Sequence, residues 1–202
     1  MKKKQRILIV LHENFFPPFK GYRKIALDRI NILSKSYLID IIMPAKNSMG
    51  MGQWKSNKNI NLYTINFNRN YLYIFTSLIK VIPGQTALYS NNKFKGYVYN
   101  IAKNKKYNAI YTYTIRSIEN IPFHLLNYNK FILDLIDPPS QGLINRAGKS
   151  IFLFPFYIIE YFLVKLYEWR LGNIVNKTVL ISKRDKKYIS QNQKKFLLFL
   201  IS

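Results

Sequence analysis

Two stretches of this 202-residue chain carry residues whose types and spacing could do chemistry. The first is His12 together with Lys20, Gly21, Arg23 and Lys24, which follow the apolar run Arg6–Leu11. An imidazole just past a buried strand can orient a hydroxyl or act as a base. A helix opening at Gly21 would present free backbone N–H groups and a positive dipole end to an anion, with three cations close by. A plain strand-to-helix turn is the other reading, because a lone glycine is no phosphate-binding fingerprint. The second stretch is Asp134-Leu-Ile-Asp137-Pro-Pro-Ser140. Asp134 and Asp137 are three residues apart, so in a strand they point to opposite faces and do not make a catalytic pair. Asp137 falls where a substrate would lie, Asp134 reads as a satisfied buried acid, and Ser140 suits a helix cap better than catalysis. Glu13 is the one carboxylate beside His12, and its side chain is expected to point elsewhere. His124, after Pro122, reads as a surface or turn residue.

Those residues need a frame. Apolar or β-branched runs at Arg6–Leu11, Tyr37–Met43, Asn61–Ile65, Ala109–Tyr113, Phe131–Ile136 and Thr178–Ile181 predict strands. Helices are expected at Tyr22–Lys35, Ser90–Lys105, Ile151–Leu171 and Lys183–Ser190, with Tyr71–Val81 a further candidate. Lys46–Asn59, rich in Gly and Ser, reads as a loop. Strands that alternate with helices over the whole length predict an α/β fold, a Rossmann-like, doubly wound parallel sheet.

Composition limits the functions available. Hydrophobic residues make up 49% of the chain, enough for a packed core. There is no cysteine and there are only two histidines, which excludes disulfides and thiolate or histidine-rich metal sites. MKKKQR precedes too short an apolar run for a signal peptide, so a cytoplasmic protein is expected. The net charge is +23, and none of the nine carboxylates falls between Ile41 and Ile118. Such a surface attracts nucleic acid, anionic lipid or nucleotide phosphate. The codon bias of an AT-rich genome would produce the same excess of lysine. Ile151–Val164 is about fourteen residues long, short of the roughly twenty a membrane span needs. It reads either as a core helix or as a partly exposed apolar face resting on a bilayer. Glu160, Lys165, Glu168 and Arg170 break any clean polar stripe and weigh against the second reading.

Four segments, in order over about residues 6 to 190, resemble the N-terminal domain of glycosyltransferase family 4. They are PPFKG after the first strand, PGQTALYS at Pro83–Ser90, FILDLIDPPS, and YEWRLGNIVNKTVLISKRD. The resemblance implies one half of a GT-B fold. In that family the N-terminal domain binds a glycan or lipid-linked acceptor, often at the inner membrane face, and a second domain binds a nucleotide-sugar donor. Transfer uses no metal and no cofactor beyond that co-substrate. It further implies that Phe19, Lys20 and Gly21 lie near the donor diphosphate, with His12, Arg23, Lys24, Asp137 and Ser140 as acceptor or cleft candidates. No residue is assigned as the catalytic base. Tyr22 stands where many relatives have a second glycine or a small polar residue, and Ile25 where the nearest carry an arginine.

The family's donor domain carries an E-x7-E motif, and both the motif and that domain read as missing. Residues 1–190 are therefore expected to be a family 4-like domain and 191–202 an aberrant tail from a frameshift near Lys194. A split enzyme whose donor half is a separate chain is the alternative. Polysaccharide synthesis, a truncated protein inactive alone, and peripheral contact with an anionic membrane are the expectations that follow. The competing classes are a basic nucleic-acid-binding protein, for which no helix-turn-helix, RRM or zinc signature is found, and a membrane-associated scaffold.

Overall fold

The computed structural model describes residues 4–45, 52–66, 71–126, 130–136, 138–148, 151–180 and 196–198. Seven parallel strands are described: β1 Arg6–Val10, β2 Leu38–Pro44, β3 Ile60–Ile65, β4 Ala109–Tyr113, β5 Phe131–Ile136, β6 Lys177–Leu180 and β7 Phe196–Leu198. They run in the order β3-β2-β1-β4-β5-β6-β7. The helices are α1 Gly21–Ser36, α2 Gly52–Lys55, α3 Leu72–Ile79, α4 Gly84–Ala87, α5 Asn92–Lys103, α6 Phe123–Leu126, α7 Pro139–Ala147 and α8 Phe154–Ile174, with a 3-10 helix at Ile115–Asn120. This is the expected Rossmann-like, doubly wound architecture.

The apolar runs become central strands because both faces of the sheet are covered. Along β1 the side chains alternate. Ile7 and Ile9 pack with Ile39, Ile41, Ala26 and Ile30 on the α1 side. Leu8 and Val10 pack with Phe94, Val98, Phe131, Val164 and Leu171 on the α5 and α8 side. Two cores result, one on each face. The chain builds β1, β2 and β3 toward one edge, then returns to place β4 on the other flank of β1. That reversal opens a crevice at the carboxyl ends of β1 and β4, where open α/β sheets bind ligands.

Several elements differ from expectation. The Gly52–Lys55 helix interrupts the expected loop, pinned by Trp54, whose indole N–H donates to Asn31 Oδ1 at 3.0 Å. The short helices α4 and α6 and the 3-10 turn lack the length for a periodic signal. Phe196–Leu198, inside the expected aberrant tail, pairs in parallel with β6 as the edge strand. The expected helix Lys183–Ser190 and part of the expected loop, 46–51, lie outside the described residues.

Candidate functional site

A cleft of about 560 Å³ lies at the carboxyl ends of β4 and β5. Its wall includes Lys20 and Tyr22 at the start of α1, Gln85 of α4, Thr114 and Arg116 after β4, and Gln141, Asn145 and Arg146 of α7. Three cations and three amides face the space, and no carboxylate lines it among the described residues. Its floor is strained. Thr114 has φ 61° and Ile136 φ 62°, and both line the cleft. L residues in this region cost of order 1–3 kcal/mol each, the more so for a β-branched side chain, and such residues cluster at ligand sites. The register of β5 against β6 also shifts between Asp134 and Ile136, a bulge at the cleft edge.

The first predicted stretch is only partly brought together here. Lys20 occupies the cap position of α1 and lines the cleft. Gly21 opens the helix as expected, and a Cβ there would meet nothing within 4 Å, so the protein's own packing does not require glycine. Phe19 points to solvent, 87% exposed, and Lys24 is also exposed. Arg23 turns back to Glu13, with Nη2 at 2.9 Å and Nε at 3.1 Å from Oε1. Glu13 also accepts from the Tyr22 hydroxyl. Burial would raise the Glu13 carboxyl, but His12, Tyr22 and Arg23 together hold it below its usual value. Burial and the same contact push Tyr22 up to about 12, so it stays a donor.

His12 is buried beneath the cleft rather than lining it. Its Nδ1 lies 3.4 Å from Thr114 Oγ1 and 3.5 Å from Ser117 Oγ, and its ring meets the edge of Tyr89 at 4.7 Å. Contrary to expectation, Glu13 Oε1 is 3.8 Å from His12 Nε2. The chain bends at residues 12 and 13, so strand alternation no longer separates neighbours. His124 is exposed on α6, against Tyr99.

In the second stretch, Asp137 lies outside the described residues. Asp134 is fully buried and satisfied, as expected. It accepts from Arg29, from the Tyr111 hydroxyl at 2.6 Å and from the Ile136 N–H at 3.1 Å. Ser140 does not cap its own helix, because Pro138 holds that position. Instead the Ser140 N–H donates to Glu168 Oε1 at 3.1 Å and its hydroxyl to Glu168 Oε2 at 2.8 Å. Glu160, also on α8, does the same for α4: it accepts from the N–H groups of Gly84 at 2.9 Å and Gln85 at 3.0 Å. An E-x7-E spacing is therefore present, at Glu160 and Glu168, although the sequence reading took it as missing. Both carboxylates are buried and cap helices of this domain, and burial raises both pKa values.

These two carboxylates hold up the cleft. Glu160 fixes the turn that bears Gln85, whose Oε1 accepts twice from Arg116, at 3.1 and 3.2 Å. Glu168 fixes the start of α7. Glu168→Ala should cost about 2–4 kcal/mol in urea unfolding, because it strands a buried N–H and hydroxyl at Ser140. Glu168→Gln keeps an acceptor and should cost less. Equal stability of the alanine variant and the parent would contradict the capping assignment.

Sequence reasoning missed Tyr22, Gln85, Thr114, Arg116, Gln141, Asn145 and Arg146 as cleft residues. Gln85 falls within the quoted PGQTALYS segment and could have been found there; the others converge only in three dimensions. No cluster of three or more His, Asp or Glu residues able to hold a metal occurs among the described residues. No described helix is long and apolar enough to cross a membrane.

Fold and cleft together define a doubly wound α/β domain with a cation-lined cleft at the carboxyl ends of its strands. No protein-family model matches the chain, and no curated protein does. Among solved structures it is similar to Arabidopsis thaliana UGT89C1 complexed with UDP, with a TM-score of 0.47 and 11% identity. The match covers 96% of this chain and 47% of that one, so this chain spans about half the length of that protein.

Proposed function

We propose that this chain is the acceptor-binding half of a nucleotide-sugar-dependent sugar transferase of the family 4 type, acting in polysaccharide or glycan synthesis. The donor-binding half is supplied from outside these 202 residues, so the chain alone transfers no sugar. One observation carries this reading: the cleft at the carboxyl ends of β4 and β5 combines Lys20, Arg116 and Arg146 with the amides of Gln85, Gln141 and Asn145. Guanidinium and ammonium groups suit phosphate or carboxylate, and amides suit sugar hydroxyls. Without the donor half, the groups that would stabilise a departing diphosphate are missing, and most rate enhancement with them.

The test is calorimetric titration with a panel of nucleotide sugars, sugar phosphates and oligosaccharides. A sugar-containing ligand should bind, and Arg116→Ala or Arg146→Ala should weaken it about tenfold each, the equivalent of one lost charge-assisted hydrogen bond. A single-stranded oligonucleotide that binds tighter than every sugar ligand, indifferent to both arginine variants, would favour the nucleic-acid class instead. Transfer should appear only when a donor-domain polypeptide is added.

A further inference from the structure

A second cavity, of about 210 Å³, is lined by residues of α3, α4, the start of α5 and the 3-10 helix. It shares no lining residue with the cleft. Ala87 of α4 and Glu119 of the 3-10 helix line this cavity, whereas Gln85 and Arg116 of the same two elements line the cleft. The end of α3 shapes it. Val81 has φ 52° just past the Lys80 cap, where helices that close this way usually carry glycine. The Val81 N–H donates to the Leu78 carbonyl at 3.1 Å, and the Ile82 N–H to the Ser77 carbonyl at 2.9 Å. The turn brings both neighbours of Val81, Lys80 and Ile82, onto the cavity wall. A β-branched residue in this region is strained, and such strain clusters at ligand clamps.

The lining selects a ligand. Lys80 and Lys95 both line the space, and neither ammonium makes an ion pair among the described residues. Glu119 is the one carboxylate lining it among those residues, and it already accepts from the Tyr167 hydroxyl at 2.5 Å. The lining therefore carries a net positive charge and suits an anion. Ser90 adds a hydroxyl donor beside the two ammonium groups, a set that suits phosphate oxygens. The rest of the polar lining suits hydroxyl groups instead. Thr76 donates its own proton to the Tyr73 carbonyl at 3.2 Å and so offers an acceptor, while Asn92 offers an amide and Glu119 a carboxylate. Size sets a further limit. The cavity is smaller than the roughly 300–1,000 Å³ of sites for drug-sized molecules, which rules out a nucleotide sugar.

We propose that this cavity is a second binding site of the domain, separate from the cleft, for a small phosphorylated polyol of monosaccharide size. Lys80, Lys95 and Ser90 take the phosphate, and Thr76, Asn92 and Glu119 take the hydroxyls. This assignment does not depend on sugar transfer. It is tested by calorimetric titration of the full chain with glucose 6-phosphate, inorganic phosphate and glucose. A double cleft variant, Arg116→Ala with Arg146→Ala, should still bind glucose 6-phosphate at one site. In that background Lys80→Ala with Lys95→Ala should weaken binding about a hundredfold, about tenfold for each charge-assisted bond removed. Inorganic phosphate should bind more weakly than glucose 6-phosphate, and glucose should not bind measurably. Glucose 6-phosphate should raise the melting temperature of the cleft variant and leave that of the added lysine variant unmoved. Equal melting temperatures without ligand would show that the fold survives the lysine substitutions. Loss of all glucose 6-phosphate binding in the cleft variant assigns the binding to the cleft and overturns the second site. Binding indifferent to the lysine substitutions overturns it as well. Inorganic phosphate binding as tightly as glucose 6-phosphate overturns the polyol assignment.

Discussion

Arg29→Met should destabilise the fold by about 3–5 kcal/mol, the largest single effect expected in this chain. Arg29 reaches from α1 across one core layer to Asp134 in β5, and both side chains are buried. Burial would lower the Arg29 pKa, but the Asp134 carboxylate outweighs it and keeps the guanidinium charged. With the arginine gone, Asp134 retains the Tyr111 hydroxyl and the Ile136 N–H, with no charge to offset its own desolvation. Burial already raises its pKa, and losing Arg29 raises it further. A carboxyl whose folded pKa lies above its unfolded value favours the fold when protonated. The variant's stability should therefore fall as pH rises through the window above the ordinary carboxylate value of about 4. Adding Asp134→Asn should recover more than half of the loss, because a neutral amide still accepts from Tyr111. Urea unfolding at pH 5 and pH 8 measures all three. If the single variant matches the parent at both, the pair contributes nothing and the argument fails.

Asp40→Asn should cost about 2–4 kcal/mol at neutral pH, and the cost should shrink in acid. The fully buried Asp40 carboxylate accepts from Arg6 at 3.2 Å, Asn61 at 2.7 Å, Lys105 at 2.9 Å and the Tyr107 hydroxyl at 2.7 Å. Burial pushes its pKa up, but these donors prevail and hold it below the usual value. Stability from a depressed carboxylate is complete above its unfolded pKa and disappears as pH falls through the folded one. The stabilities of parent and variant should accordingly stay separated at pH 7 and converge only in acid, as pH falls below the ordinary carboxylate value of about 4 and through the lower folded one. Arg6 opens β1, so this cluster sits at the opposite end of the sheet from the cleft. Ligand titrations should leave the variant's affinity unchanged.

What the sequence revealed follows from the range of each interaction. The central strands β1, β2, β4 and β5 were legible within a residue or two, because a strand buried on both faces must be an apolar run whatever surrounds it. The opening of α1 at Gly21 was legible from local turn chemistry. The roles of Glu160 and Glu168 were not. Their partners lie 75 or more residues away for Glu160 and 28 for Glu168, and a carboxylate capping a remote helix leaves no local signature. Together with Lys165 and Arg170, the same two residues made α8 look mottled in the sequence. Ser140 was misread as a cap because the preferred residue type stands two positions past the cap, behind Pro138 and Pro139. Glu13 was expected to point away from His12, but the chain bends at these two residues and brings the side chains together.

Glu160 and Glu168 lie eight residues apart on one rigid helix, about 12 Å along its axis. Each grips a different wall of the cleft, α4 through the first carboxylate and α7 through the second. A rod clamped at two points cannot tilt without carrying both clamps. The walls bearing Gln85 and Gln141 therefore hang from a single rod, and the stretch of helix between the two carboxylates sets the spacing of their anchors.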